Sequence, residues 1–195
     1  MKTFELKGTA RPEVGKKASK SARANDAIPC VLYGGKEIAH FQIEAKDVRK
    51  LIYSPEIFVV ALDLGGKKAN AILKEIQFHP VKDTILHIDF LEIFDNKPIT
   101  MAVPVKLNGL AEGVKQGGKL TQEMRTIKVK ALYKNVPERL EINVENLGLG
   151  KTIQVGSLSF DKLTLLDNAV NVVAAVKLTR AARGAMAKGG DTAKK

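Results

Sequence analysis

Four side chains that could do chemistry lie close together in the segment HPVKDTILHID, namely His79, Asp83, His87 and Asp89. A metal site needs at least three converging ligands, but alternation places only His87 and Asp89 on one face of a predicted strand. No Cys pair and no third His is near, so metal-dependent catalysis is disfavoured. Two interpretations stay open. The pair are polar neighbours on a strand, or they contact RNA, since His can stack on a nucleotide and Asp can accept from a base amino group.

A second candidate site is the basic segment over residues 11–23, which contains five Lys or Arg residues and one acid. Its side chains suit phosphate oxygens, and they are Arg11, Lys16, Lys17, Ser19, Lys20, Ser21 and Arg23. An apolar strand, IPCVLY, follows and would hold the cations in register, with Tyr33 at its end available to stack on a base. We expect an exposed loop, although Ala and Lys also favour a short helix over residues 16–24. The alternatives are an ordinary solvated loop and a Tyr33 half-buried at the rim of a sheet.

Three further motifs resemble reactive sites only in part. Cys30 is the single cysteine and lies in an apolar run without a basic neighbour, which predicts a small buried hydrophobe rather than a nucleophile. GLGKT, residues 148–152, lacks the earlier glycine of a phosphate-binding loop, because Glu145 stands there, and a predicted strand follows it instead of a helix. VKQGGKL lacks a Ser or Thr after its Lys. We therefore expect no catalytic residue, no metal and no cofactor.

The composition favours a protein with a polyanionic partner. The chain has 195 residues, a net charge of +11 and a pI of about 9.7, which suits nucleic acid. The alternative is a soluble protein that is simply basic. No apolar run approaches the roughly 18 residues of a membrane span, and the N-terminus lacks the apolar segment of a signal peptide. We therefore expect a cytoplasmic protein without a membrane partner.

Alternation of apolar and polar residues with a period of two predicts a mainly β chain. In the first half we expect strands at TFELK, IPCVLY, EIAHFQIE and TILHIDFLEI, and a hairpin with its turn at Gly65 and Gly66. One helix is predicted over residues 45–53, where an apolar stripe of helical spacing ends before Pro55. In the second half ITMAV, TIKVKA, LEINV and VNVVAAV alternate in the same way.

The polar segment FDNKPIT predicts a domain boundary near the middle of the chain. This gives a first domain over residues 1–93 and a second, mostly β domain over residues 94–178. Residues 179–195 are basic, have no apolar period and are predicted to form a disordered tail.

The segments GKKASKSARANDAIPCVLYGGKE and FHPVKDTILHIDFLEI resemble the bacterial ribosomal protein family that binds 5S rRNA, the L-twenty-five or CTC family. The motifs that carry the resemblance are G-K-x-x-S-x-x-x-R with I-P-x-V-x-Y-G, and H-P with H-I-D-F. NVPERLEINVENLGLGKTIQVGSL resembles the C-terminal domain of the longer members. The resemblance therefore extends over about residues 2–178, and it implies that GLGKT is a turn between strands.

The resemblance implies a six-stranded N-terminal β-barrel with short helices, akin to the anticodon-binding barrel of glutaminyl-tRNA synthetase, and a mostly β C-terminal domain. It also implies that the barrel binds the internally looped part of 5S rRNA from the minor-groove side. The implied RNA contacts are Arg11, Lys16, Ser19, Lys20, Arg23, Tyr33, His87 and Asp89, with Lys74 and His79 as weaker candidates. The family often has Arg-Arg-Leu-Arg after the Ser, where this chain has KSAR. Because Lys lacks the forked guanidinium, a bidentate contact at Lys20 is in doubt.

The function that follows is that of a structural, non-enzymatic protein of the large ribosomal subunit. Its expected partner is 5S rRNA, with 23S rRNA and neighbouring large-subunit proteins as further candidates and no small-molecule substrate. Two alternatives stay open: a tRNA-binding module of an enzyme that uses a similar barrel, and a stress-induced protein that joins the ribosome conditionally. The enzyme alternative needs a catalytic domain, and residues 94–178 carry no motif for one.

Overall fold

The structure is a computed structural model that describes residues 1–35 and 37–180. Its contacts group into two compact units. One holds residues 1–99 with 132–138, and the other holds 100–131 with the described residues from Arg139 onward. The boundary predicted at residue 94 stays a prediction. Most of the predicted tail, residues 181–195, lies outside the described residues.

The strands are β1 (Lys2–Lys7), β2 (Thr9–Ala10), β3 (Ala27–Tyr33), β4 (Ala39–Glu44), β5 (Phe58–Asp63), β6 (Lys68–Phe78), β7 (Ile85–Glu92), β8 (Ile99–Asn108), β9 (Lys119–Gln122), β10 (Thr126–Ala131), β11 (Leu140–Asn143), β12 (Thr152–Gln154), β13 (Thr164–Leu165) and β14 (Val172–Lys177). The helices are α1 (Lys16–Ala24), α2 (Ala45–Ile52) and α3 (Glu112–Lys115), with 3-10 turns at Tyr133–Asn135 and Val155–Ser157. The predicted mainly β class is confirmed. Among the described residues, no helix is both long and apolar enough to span a membrane.

The first unit is a partly open barrel made from one curled sheet. Its strand order is β1-β5-β6-β7-β3-β4-β2. β1 and β2 are at opposite edges of this order but follow one another in the chain, separated only by Gly8. The two edges of the sheet therefore meet at Gly8, and β1 and β2 together form one strand of the barrel. The Gly8 N–H donates to the Asp63 carbonyl at 2.9 Å. A Cβ on Gly8 would lie 2.7 Å from Cδ2 of Phe41, so only glycine fits this crossing without displacing a core side chain.

Alternate residues of these strands fill the barrel with aliphatic side chains and two fully buried phenylalanines, Phe41 and Phe90, whose ring centroids are 5.8 Å apart. The stripe predicted on α2 is buried through Val48 and Leu51, so the helix packs on this core and ends one residue before the predicted limit. Cys30 is 2% exposed, as predicted for a small buried hydrophobe. Burial raises the pKa of its thiol strongly, with the charge of Asp89 as the next cause.

The second unit contains a four-stranded sheet in the order β11-β8-β10-β13 and a three-stranded sheet in the order β12-β14-β9. Thr152 of GLGKT opens β12, so the motif is a turn between strands, as expected, and not a phosphate-binding loop. The strand expected from Val170 begins later, because Val170 is 69% exposed and precedes β14. Residues 173–176 are all buried instead of alternating, since β14 is the central strand of its sheet and is covered on both faces.

Candidate RNA interface

The basic segment forms helix α1, so the predicted exposed loop is wrong and the helical alternative is correct. Ala and Lys favour a helix, and α1 packs against β3 with Ala22 only 7% exposed. Gly15 precedes the first turn with φ of 117°, a conformation that favours glycine. The backbone N–H of Asn25 ends the helix by donating to the carbonyls of Ser21 and Ala22.

The helix places four of the sequence-predicted contacts on one face. Successive helical residues are about 100° apart, which groups Lys16, Ser19, Lys20 and Arg23 within one side of α1. Ala22 lies beside this group on the buried side. Lys17 lies about 60° beyond Lys20 and about 120° from Arg23, on the side of the group away from Ala22.

Arg11 adjoins the same face from the loop before α1. One Nη of Arg11 donates to the Ser19 hydroxyl at 3.5 Å and to the Glu13 carbonyl at 3.4 Å, which are long hydrogen bonds. The backbone N–H of Arg11 donates to the His40 carbonyl at 2.9 Å, which fixes the start of the loop on β4. The structure therefore brings Arg11 together with α1.

A hydrogen bond joins α1 to the strand that carries His87. The Nε of Arg23 donates to the carbonyl of Leu86 at 3.0 Å. The register pairs Gln77 with His87 and Phe78 with Ile85, so Leu86 is a bulged residue without a partner on β6. A bulge leaves backbone groups outside the ladder, and here the Leu86 carbonyl accepts from the guanidinium.

His87 and Asp89 form a pair on the outer face of β7, as predicted from alternation. His87 Nδ1 and Asp89 Oδ1 are 2.7 Å apart, and the two side chains are 29% and 28% exposed. Ile88 and Phe90 point into the core from the alternate positions. An Nδ1–H that donates to the carboxylate leaves Nε2 of the neutral ring as an acceptor. The pair thus presents an oriented imidazole edge beside a carboxylate.

Further polar groups lie beside this pair on neighbouring strands. Gln77 and Glu75 of β6 stand opposite His87 and Asp89. Tyr33 is half-buried near the end of β3, and burial, followed by the charges of Asp89 and Glu75, raises its pKa. The phenol therefore keeps its proton at neutral pH and can donate. Sequence reasoning missed Gln77, which only the antiparallel register across from His87 identifies.

The two weaker candidates, Lys74 and His79, lie in β6 and directly after it. Lys74 is exposed and occupies a second bulge of β6, because Leu73 pairs with Phe90 and Glu75 with Asp89. His79 shapes a turn. Its Nδ1 accepts from the backbone N–H groups of Val81 and Lys82, each at 3.2 Å.

The geometry bears on whether His79, Asp83, His87 and Asp89 could form a metal site. Within residues 1–35 and 37–180, no group of three or more His, Cys, Asp or Glu side chains could hold a metal ion. Nδ1 of His79 and Nδ1 of His87 both have protein partners. The arrangement is suited to hydrogen bonding and to phosphate neutralisation.

Comparisons with known proteins cover both halves of the chain. Residues 6–90 match the Ribosomal L25p family, and residues 98–180 match the C-terminal domain of ribosomal protein TL5. Three relatives carry the name large ribosomal subunit protein bL25. The relative from Bacteroides fragilis is 58% identical over 196 residues, covering 97% of this chain and 100% of its own. The relative from Azobacteroides pseudotrichonymphae is 60% identical over 189 residues, covering 96% of this chain and 100% of its own. The relative from Porphyromonas gingivalis is 62% identical over 190 residues, covering 96% of this chain and 99% of its own.

These matches confirm the resemblance found in both halves of the sequence. Ribosomal-protein family models match residues 6–90 and 98–180, and relatives near 60% identity align over almost the full chain. The chain therefore belongs to the Ribosomal L25p family, a family of structural, non-enzymatic ribosomal proteins.

Proposed function

We propose that this protein is a structural constituent of the large ribosomal subunit in the cytoplasm and that it binds 5S rRNA through its first unit. Its relatives are named as large ribosomal subunit proteins, which supports the ribosomal role. The RNA partner is proposed from the family resemblance of the basic helix and of the H-I-D-F strand.

The observation that carries the proposal is the hydrogen bond between Arg23 and Leu86. It connects the cationic face of α1 with the His87–Asp89 pair, so one continuous surface offers both charge and edge-reading groups. Cations of α1 neutralise phosphates and set the position on the RNA. The imidazole Nε2 and the carboxylate then accept hydrogen bonds from base amino groups and 2′-hydroxyls of the wide minor groove.

The test is a binding titration of the full chain with 5S rRNA at several salt concentrations, with tRNA as the competitor. Three to five phosphate contacts predict that log K falls against log salt with a slope of about −2 to −4.5. Preference for tRNA, or an affinity that salt leaves unchanged, would contradict the proposal. Footprinting of 5S and 23S rRNA with the same chain maps the nucleotides that it protects.

A further inference from the structure

A cavity of about 530 Å³ opens beside the C-terminal end of α1 within the first unit. This volume falls in the range of small-ligand sites, about 300–1,000 Å³. Apolar side chains of Ile28 and Ile85 form part of its lining, and three cations, Arg23, Arg49 and Lys82, also line it. An apolar wall next to several cations is the combination that a base or ribose and its phosphate require.

Two carboxylates distinguish this cavity from a simple anion site. Asp26 and Asp83 line it together with the three cations, so its net charge is small. Carboxylates repel a free inorganic anion, but they accept hydrogen bonds from a 2′-hydroxyl or from a base amino group. The lining therefore fits a whole ribonucleotide better than it fits phosphate alone.

Tyr53 supplies an aromatic surface at the same cavity. The residue is 66% exposed and lines both this cavity and a neighbouring cleft with Phe4 and Phe58. Its backbone N–H donates to the Arg49 carbonyl at 3.0 Å, so the end of α2 fixes its backbone. Exposed aromatic rings next to arginine are used by proteins to stack unpaired bases.

The cavity is continuous with the proposed RNA surface at two places. Arg23 belongs to the cationic face of α1 and also lines the cavity. His79 holds the backbone N–H of Lys82 at 3.2 Å and thereby shapes the turn that supplies Lys82, Asp83 and Thr84 to the lining. RNA that lies along α1 therefore reaches this opening without leaving the protein surface.

We infer that the cavity receives one unpaired nucleotide of the bound RNA, with its phosphate at Arg23 and Arg49 and its base against Tyr53. The inference rests on the proposed function. It extends the RNA contacts to α2 and to the turn after β6. It also gives His79 a positioning role, because its ring acts through Lys82.

The test compares matched variants of the full chain in 5S rRNA binding over a range of salt. Arg49→Gln is expected to weaken binding about fivefold to tenfold and to make the salt slope shallower by about one unit. Lys46→Gln removes one cation from the same helix outside the cavity and is expected to stay within about twofold of wild type. Tyr53→Leu is expected to weaken binding about fivefold with the slope unchanged, whereas Tyr53→Phe keeps the ring and the affinity. Melting curves of each variant verify folding.

Four results overturn the inference. The first is that Arg49→Gln and Tyr53→Leu bind like wild type, while Arg23→Ala and His87→Ala weaken binding. This result would leave the proposed function standing but would exclude the cavity as a nucleotide site. Equal losses for Arg49→Gln and Lys46→Gln show that only diffuse charge acts. Equilibrium dialysis in which free AMP binds tightly and depends on Arg49 assigns the cavity to a free nucleotide. Wild-type chain that fails to bind 5S rRNA overturns the proposed function together with the inference.

Discussion

The guanidinium Nε of Arg23 donates a 3.0 Å hydrogen bond to the backbone carbonyl of Leu86, a residue 63 positions later in the chain. Leu86 is bulged out of the ladder between β6 and β7 and directly precedes His87. The bond uses only one of the five donors of the guanidinium. The other N–H groups lie in the plane of a guanidinium whose direction is already set by this bond.

The bond between Arg23 and Leu86 predicts that Arg23 contributes more to RNA affinity than its charge alone would contribute. Arg23→Ala should weaken 5S rRNA binding by about 1–3 kcal/mol, because an oriented guanidinium loses little entropy when it contacts phosphate. Lys17→Ala removes the same charge from a different side of α1 and should cost about 0–0.5 kcal/mol. A salt titration of both variants measures the difference, and Arg23→Ala should also make the slope shallower by about one unit.

The control for this comparison is the melting temperature, which should be similar in both variants because both side chains are exposed. Equal losses of affinity for Arg23→Ala and Lys17→Ala would mean that position on the helix does not matter.

The His87–Asp89 pair predicts coupled rather than additive effects. Asp89 orients the ring through Nδ1 at 2.7 Å, so removing either partner disrupts the same recognition unit. His87→Ala and Asp89→Ala should each weaken 5S rRNA binding by about 1 kcal/mol, and the double variant should lose little more than either single one. The salt slope should stay nearly constant, because the pair is proposed to contact base edges and 2′-hydroxyls and not phosphates. Losses that add fully in the double-mutant cycle would contradict this unit.

The passage of the chain through Gly8 predicts a stability effect. In Gly8→Ala the new Cβ would lie 2.7 Å from Cδ2 of Phe41 and 2.8 Å from Cδ2 of Leu64. Phe41 is fully buried and cannot move outward, so the variant should lose about 1–3 kcal/mol of unfolding free energy. Urea unfolding measures it. Thr9→Ala, an exposed neighbour in β2, should change stability by less than about 0.5 kcal/mol, and a Gly8→Ala variant as stable as Thr9→Ala would refute the close-packing argument.

The hydrogen bonds that Asp95 accepts predict a pH-dependent contact inside the first unit. Lys134 Nζ donates to its Oδ2 and the Tyr133 hydroxyl donates to its Oδ1, each at 2.8 Å. These hydrogen bonds, Lys134 first, hold the pKa of Asp95 below its ordinary value. Because the pKa is lower in the folded chain, the contact stabilises at pH above about 4 and is lost as pH falls through the folded pKa.

An NMR titration of the Asp95 carboxyl group measures this shift. Lys134→Met should raise the pKa of Asp95 toward the ordinary value, because it removes the largest cause of the lowering. Lys97→Met is the matched control, since Lys97 lies over the Phe94 ring at 4.8 Å and does not contribute to the shift. An Asp95 pKa that responds to both variants alike would indicate a general charge effect instead.

Local pattern was sufficient for most strands and for the outward pair on β7. The side-chain period of a strand is two, so HIDF alone places His87 and Asp89 on one face and Ile88 and Phe90 on the other. The same logic predicted α2 from its apolar stripe. It also predicted the buried state of Cys30. These outcomes could be predicted because each depends on residues within one turn or one strand.

The tertiary structure decided what depends on partners far along the chain. Helix was favoured over loop at α1 because Ala22 could be buried against β3. β3 pairs in parallel with β7 across more than fifty residues, and that pairing brings α1 to the bulge at Leu86. Periodicity reports which face of an element is buried, but the hydrogen-bond partner of a strand edge or of a guanidinium is chosen by three-dimensional proximity. For this reason the sequence identified Arg23 and His87 as separate candidates, and only the folded chain joined them into one surface.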